Sequence, residues 1–70
     1  MATLQFALTD EYIELYKLLK ILDLVDSGAE AKLIIASGSV LRNGEVETRK
    51  RAKIVRNEVL EISDVKIEVI

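Results

Sequence analysis

The sequence contains neither cysteine nor histidine, and these two absences remove several classes of protein at once. Without cysteine no disulfide can form, and without either residue the thiolate and imidazole ligands of a structural zinc site are missing. Stability must come from packing alone, which a hydrophobic content of 50% makes feasible in a chain of 70 residues. We expect a single small domain over residues 1–70, with no metal and no cofactor.

Long hydrophobic runs are absent as well. The longest uninterrupted one, Leu33 to Ala36, is far below the roughly 18 residues of a membrane-spanning helix. The first residues, MATLQFALTDEY, have no basic segment and no long apolar core, so we predict no signal peptide. A cytoplasmic location is the expectation that follows.

The sequence also offers few groups for catalysis. Histidine, the usual general acid or base at neutral pH, does not occur. None of the four serines forms a recognisable pair with a general base, and Ser27 is better suited to capping a helix. Gly38 is not accompanied by the glycines and the lysine of a phosphate-binding loop. We therefore predict that the protein is not an enzyme.

Hydrophobic periodicity predicts the first half of the fold. Residues 3–8 alternate in polarity as a half-buried strand does, whereas the apolar residues from Tyr12 to Leu22 recur at helical spacing, with a first turn that can be extended. Ser27 and Glu30 fit a capping box, in which the serine oxygen accepts from the Glu30 amide and the glutamate reaches back to the Ser27 amide. A second, short helix should begin there and end near Gly38.

The residues after Gly38 are typical of strands. Asn43-Gly44 predicts a tight hairpin, because both central positions of a type I′ turn need a positive φ. Residues 53–62 and 65–69 are interpreted as two more strands, joined at Ser63-Asp64. We expect Ala29, Leu33 and Ile34 of the second helix to face the core. Strands beside two helices predict an α+β fold.

The charge is distributed unevenly along the chain, although the formal net charge is only −2. Residues 1–30 carry two cations and six carboxylates, and residues 57–70 carry one cation and four carboxylates. Residues 31–56 carry seven cations and two carboxylates, a net charge of +5. Such asymmetry favours an anionic partner for the middle of the chain.

The densest part of this cationic region is the segment TRKRAKIV, residues 48–55. If it is extended, Arg49, Arg51 and Lys53 project to one side, because successive side chains of a strand alternate. A charge run of this kind is most often only a solvated surface. Clustering with Arg42 and Lys32, on elements that adjoin the hairpin, favours a phosphate-binding surface instead, and the planar fork of arginine suits phosphate.

The predicted helices, the hairpin and the basic segment, in this order along the chain, resemble the S4 RNA-binding domain, and in particular the small stand-alone bacterial proteins of the YbcJ type. The likeness extends over about residues 13–62. It is carried by the leucine-rich first helix, Ser27 with Ala31-Lys32, Gly38 with Val40, the Asn43-Gly44 turn and the segment VETRKRAKIV. The resemblance implies an S4-like (αL) module with two helices on a small, mostly antiparallel sheet.

The resemblance also implies a role and a set of contacts. The family binds structured RNA with the second helix and the adjoining hairpin, so structured RNA, including ribosomal RNA, is the expected partner, with ribosome association and a monomer or weak homodimer. Carried over by position, the RNA-binding residues are Ser27, Lys32, Arg42, Asn43, Arg49, Lys50, Arg51 and Lys53. Two positions depart from the family pattern: Gly28 stands where many S4 domains have arginine, and Asn57-Glu58 where they have Gly-Asp.

One alternative uses the same residues. The basic patch could dock an acidic protein partner, which would make the domain a protein–protein interaction module. Aromatic stacking on single-stranded RNA has little support from the sequence, because Phe6, Tyr12 and Tyr16 fit core spacing and lie far from the cations along the chain. We expect them to be core residues first, with Tyr16 as the one that could also be exposed at the surface.

Overall fold

Nine short elements follow one another along the chain in a computed structural model, which describes residues 2–70. The strands are β1 (Ala2–Phe6), β2 (Ile13–Glu14), β3 (Val40–Arg42), β4 (Glu45–Val46), β5 (Lys53–Ile54), β6 (Val59–Ile62) and β7 (Val65–Val69). The helices are α1 (Leu15–Ile21) and α2 (Gly28–Ala36). Neither of these two helices is long or apolar enough to cross a membrane.

Five strands form one mixed sheet in the order β1-β7-β6-β3-β4. β1 runs parallel to β7, and each of the other neighbouring pairs is antiparallel. β2 and β5 form a separate antiparallel pair with Ile13 opposite Ile54. The predicted fold, two helices on a mostly antiparallel sheet, is confirmed. The parallel edge and the separate pair were not predicted.

A single cluster of buried side chains lies between the helices and one face of the sheet. Period-two alternation along β6 and β7 turns Leu60, Ile62, Ile67 and Val69 to this face, where each is at most 8% exposed. The cluster contains Leu15, Leu18 and Leu19 of α1, Ala31 and Ile35 of α2, and Val40, Ile54, Leu60, Ile62, Ile67 and Val69 of the strands. The apolar residues predicted for the first helix and for the last two strands therefore do meet in one core.

Helix α2 begins where the sequence predicts, with a small difference in its cap. The Glu30 amide donates to Ser27 Oγ over 3.1 Å, as expected of a serine N-cap. The Glu30 carboxylate instead accepts from the Asp26 amide at 3.2 Å, one residue before the cap, so the expected return bond to Ser27 is wrong by one position. Gly38 follows the helix with φ of +83°, the left-handed conformation that a C-terminal glycine supplies.

The buried face of α2 differs from the predicted one. Ala31 and Ile35 are fully buried, whereas Leu33 is 73% exposed and Ala29 is exposed. Ile34 packs only partly against the core. Six of the nine residues of α2 are Ala, Leu or Ile, so its composition does not define one apolar stripe. Packing against α1 and the sheet selects the i, i+4 pair that is buried.

The turns at Asn43-Gly44, Asn57 and Ser63, all in the second half of the chain, use the left-handed region. Asn43 and Gly44 have φ of +52° and +86°, which confirms the type I′ hairpin between β3 and β4. Residues 53–62 do not form the single predicted strand, because a turn interrupts them at Asn57, whose φ is +75°. β5 consequently leaves the main sheet and pairs with β2, while β6 remains in it.

Candidate nucleic-acid interface

Four of the predicted cations line one groove of about 470 Å³. This cationic groove is lined by Arg42, Arg49, Arg51, Ala52 and Lys53. Arg42 comes from the end of β3, Lys53 from β5, and the other cations from the basic loop, which we define as residues 47–52. The segment is not the extended row that alternation predicts, since only Lys53 and Ile54 are in a strand. The fold nevertheless brings these side chains together.

The basic loop is fixed by the first turn of α1. That helix has no side-chain N-cap, so its first amides need other acceptors. The Leu15 amide donates to the Ala52 carbonyl at 3.0 Å, and the Tyr16 amide donates to the Lys50 carbonyl at 3.1 Å. The start of α1 and the middle of the basic loop are therefore held against each other by backbone bonds.

Arg42 is the most constrained cation of the groove. Its Nε and Nη2 donate to the two carboxylate oxygens of Glu58 at 2.7 and 2.8 Å, its Nη1 to Glu47 at 3.2 Å, and its Nη2 also to the Lys53 carbonyl at 2.7 Å. These bonds engage four of the five N–H donors of a guanidinium. Burial raises the pKa of Glu58, but hydrogen bonds from Arg42 and the Val55 amide outweigh it and hold this pKa below the ordinary value. Arg42 thus ties β3 to β5 and to Glu58, the residue before β6, and has little donor capacity left for a ligand.

Glu47 is a residue of the candidate interface that was not predicted from the sequence. Its side chain accepts from Arg49 Nε, Arg49 Nη2 and the Arg49 amide over 3.0–3.1 Å and from Arg42 at 3.2 Å, although the residue is only 7% exposed. The hydrogen bonds from Arg49 are the main reason that the pKa of Glu47 falls to about 2. One buried carboxylate therefore orients two cations of the groove and offsets part of their charge. Its spacing of two residues from Arg49 was the signal available in the sequence.

Ser27 and Asn43 have structural roles at their predicted positions. Ser27 caps α2, as described above. Asn43 donates from its side-chain amide to Glu58 at 3.0 Å, and its Oδ1 accepts from the Val59 amide at 2.9 Å. Asn43 lies beside Arg42 and Arg49 in a depression that adjoins the cationic groove.

Three cations lie close to the ring of Tyr16. Lys32 Nζ lies 4.8 Å from the ring centroid, Arg51 Cζ 5.8 Å and Lys17 Nζ 5.9 Å, all within the range of a cation–π contact. Lys53 Nζ lies 5.0 Å from the ring of Tyr12, which is 42% exposed. The expectation of a core position is wrong for Tyr12, whereas Tyr16 packs against the core at its edge and is partly exposed, which the sequence allowed.

The exposed cations give this region its chemistry. Lys50, Arg51 and Lys53 are exposed, and Lys32 is partly so. Among residues 2–70 their closest carboxylate is Glu14, whose Oε2 lies 4.0 Å from Arg51 Nε. Arg51 lines the cationic groove and also lies over Tyr16, so it connects the groove to the surface of α2. Such an arrangement can bind an extended anion.

Comparison with known proteins identifies the family. The family model of the S4 domain matches residues 6–70, nearly the whole chain. The chain belongs to the S4 domain family. Its two helices, the N-cap at Ser27 and the Asn43-Gly44 hairpin are thus elements of an S4 domain, as the resemblance implied.

The relatives of this S4 domain agree in sequence and in structure. YbcJ of Escherichia coli K12, named as a candidate RNA-binding protein, is 42% identical over 59 residues, which are 84% of each chain. The YbcJ protein of Shigella flexneri has the same identity and coverage. The solution structure of E. coli YbcJ, described as containing an αL motif involved in RNA binding, superimposes with a TM-score of 0.70 and 40% identity, and covers 100% of this chain and 87% of that one.

A ribosomal protein shares the same fold. The 30S ribosomal protein S4e of Thermoplasma acidophilum superimposes with a TM-score of 0.63 and 29% identity. The match covers 77% of this chain but only 29% of the larger protein. The S4 fold thus occurs both as a small protein and as part of a ribosomal protein.

Proposed function

We propose that this S4 domain is a non-catalytic protein that binds structured RNA through the cationic groove and the adjoining surface of α2. The observation that carries the proposal is the groove itself, in which cations from β3, the basic loop and β5 line one concave surface. Membership of the S4 family and the RNA-binding descriptions of YbcJ support the same ligand.

The chemistry of the groove suits the sugar–phosphate backbone more than base edges. Arginine and lysine bind phosphate by charge-assisted hydrogen bonds, which are about twice as strong as neutral ones. The deep, narrow major groove of A-form RNA excludes side chains, so proteins recognise an RNA helix mainly by shape, phosphates and 2′-hydroxyls. Lys50, Arg51, Lys53 and the exposed side of Arg49 supply most of the phosphate contacts in this proposal, with Lys32 extending them onto α2. Ser27, Arg42 and Asn43 shape the surface and contribute fewer direct bonds.

Ribosomal RNA is the structured RNA that we propose first. The fold likeness to ribosomal protein S4e supports this choice, because that protein is a component of the 30S subunit. A cytoplasmic location, association with the ribosome and action as a monomer or weak homodimer belong to the same proposal.

The direct test is binding of a labelled, folded ribosomal RNA fragment, measured by fluorescence anisotropy over a range of salt. If about four to six phosphates are neutralised, log K should fall with log[salt] at a slope of roughly −3 to −5. Arg51→Ala combined with Lys53→Ala should weaken binding at least about tenfold and reduce the slope by about 2, because two phosphate contacts are removed. Lys66→Ala is the control for each of these two substitutions made singly, since Lys66 lies on β7 opposite Glu61 and Thr3 and does not line the groove. It removes one cation and should leave binding nearly unchanged.

Two results would reject the proposal. Absence of RNA binding at low salt would remove the function. Equal losses from the Lys66 variant and from the groove variants would show that only net charge matters. Binding of an acidic peptide such as polyglutamate, tighter than that of the folded RNA, would favour the protein-docking alternative.

A further inference from the structure

Three cations from separate segments meet at the ring of Tyr16. Lys17 belongs to α1, Lys32 to α2 and Arg51 to the basic loop, and all lie within 6 Å of the ring centroid. The basic loop is also bonded to the start of α1 through the backbone carbonyls of Lys50 and Ala52. Tyr16 is therefore the side chain at which the cations of three segments come together.

The ring is held in place from several directions. The Tyr16 amide bonds the Lys50 carbonyl at 3.1 Å, which fixes the backbone of Tyr16 against the basic loop. The start of α2 lies on another side, where a Cβ added at Gly28 would be 3.7 and 3.8 Å from two ring carbons. Gly28 thus brings the backbone of α2 close to the ring, and Lys32 follows one turn later.

An aromatic ring orients cations without using their donors. Around Arg42, the carboxylates of Glu47 and Glu58 engage most N–H groups of the guanidinium and compensate its charge. The face of a ring attracts a cation through its quadrupole, so the N–H groups that point away from the ring remain free and the charge remains whole. Lys32 and Arg51 are accordingly oriented and still able to bind an anion.

We propose that Tyr16 is a positioning residue of the RNA-binding surface, which holds Lys32 and Arg51 side by side and joins α2 to the cationic groove. This inference rests on the proposed function. A cation that is already oriented loses less side-chain freedom when it binds phosphate, and this is the general gain of preorganisation.

The first measurement needs no RNA. Protons that lie over the face of an aromatic ring resonate upfield, so the side-chain protons of Lys32 and Arg51 should be shifted upfield in the NMR spectrum of the wild-type protein. Tyr16→Phe should keep these shifts and Tyr16→Leu should remove them. If the side-chain protons of both residues have random-coil chemical shifts in the wild-type protein, the inference is overturned, whether or not any variant folds.

The second measurement is RNA affinity in the same variants. Tyr16→Leu keeps an apolar contact but loses the ring, and should weaken binding of the folded RNA about 5- to 20-fold, because two long side chains must then be ordered on binding. Tyr16→Phe should bind within about twofold of wild type, since phenylalanine also attracts cations over its face. Phe6→Leu is the control, because it removes a half-buried ring on β1. No cation of residues 2–70 lies over the ring of Phe6.

The results separate this inference from the function on which it rests. If the wild-type protein binds no RNA, the proposed function fails and this inference fails with it. If wild type binds and Tyr16→Leu binds equally well with unchanged thermal stability, only the positioning role of Tyr16 is rejected. Equal losses for Tyr16→Leu and Phe6→Leu would also reject it, because a general loosening of the core would then explain both.

Discussion

Glu47 decides how two arginines of the cationic groove are oriented. It accepts hydrogen bonds from Arg42 and Arg49 while its own side chain is nearly buried, so its charge is compensated inside the protein. A buried carboxylate without its partners is costly, whereas a paired one fixes geometry. The interface therefore contains two kinds of cation: arginines that are held by carboxylates, and lysines with Arg51 that are not strongly paired among residues 2–70.

The low pKa of Glu47 predicts how stability responds to acid. The pKa falls from an ordinary value of 4.5 to about 2 in the folded state. A carboxyl group with a depressed folded-state pKa stabilises the protein above its unfolded pKa, and this contribution is lost as the pH falls through the folded value. Stability should therefore decline between about pH 4.5 and pH 2. Glu47→Gln should lower the free energy of unfolding at pH 7 by about 1–2 kcal/mol, less than the full shift implies, because solvent screens the exposed guanidinium of Arg49.

Urea denaturation at a series of pH values checks this prediction. The difference in stability between wild type and Glu47→Gln should be constant above pH 5 and should shrink toward pH 2. Glu45→Gln is the control, since Glu45 lies two residues away on β4 and is exposed. A wild-type to Glu47→Gln difference that stays the same from pH 7 to pH 2 would contradict the assigned role.

At the scale of elements, α2 combines a structural cap with a place in the proposed interface. Ser27 stabilises the first turn through the Glu30 amide, and the next residue, Gly28, lies beside Tyr16 and its cations. The two roles can be separated, because aspartate caps a helix about as well as serine but adds a negative charge.

Ser27→Asp should keep the stability of the domain and weaken RNA binding. We expect a change in unfolding free energy of less than about 0.5 kcal/mol, because the new side chain can accept the same bond. RNA affinity should fall about fivefold, which corresponds to roughly 1 kcal/mol for an unfavourable charge near the surface. Ser27→Ala provides the opposite case, with about 1 kcal/mol of stability lost and no new charge. Loss of RNA binding in the alanine variant equal to that in the aspartate variant would show that the cap, and not the charge, is responsible.

The elements that could be predicted from the sequence are those defined by neighbouring residues. The cap at Ser27, the end of α2 at Gly38 and the Asn43-Gly44 hairpin depend on local backbone chemistry, and the structure confirms each of them. The parallel pairing of β1 with β7 joins the two ends of the chain, and β2 and β5 have only two residues each. No periodicity can appear in two residues, and no local signal specifies a partner strand about 60 positions away.

The same distinction applies to the candidate site. The cations could be predicted because a charge run is visible in composition, and four of them do line one groove. Their partners could not, because Glu58 is 16 residues from Arg42 and Tyr16 is 35 positions from Arg51 along the chain. The tertiary fold determines whether a cation is paired with a carboxylate, held over an aromatic ring or free. This environment in turn determines how much of the cation's charge is available to a ligand.

At the scale of the whole molecule, the domain is smaller than the distance over which its charges interact at low salt. It measures about 25 × 24 × 21 Å and has a net charge of −2 with the cations concentrated in the middle of the chain. The Debye length is about 8 Å at 0.15 M salt and about 30 Å at 0.01 M. An RNA bound at the groove therefore meets mainly the nearby cations at physiological salt, but the whole acidic molecule at very low salt.

This difference predicts a curved salt dependence. Between about 0.1 and 0.3 M the slope of log K against log[salt] should be roughly −3 to −5, as for any site with four to six phosphate contacts. Below about 0.02 M it should flatten, because repulsion by the distant carboxylates is no longer screened.

Asp23→Asn with Asp64→Asn should restore a steeper slope at low salt. Both residues are exposed, and asparagine tolerates the left-handed conformation that Asp23 adopts at φ of +60°. Anisotropy titrations from 0.01 to about 0.3 M would measure both curves. Two straight lines of equal slope would mean that the acidic ends of the chain do not influence RNA binding.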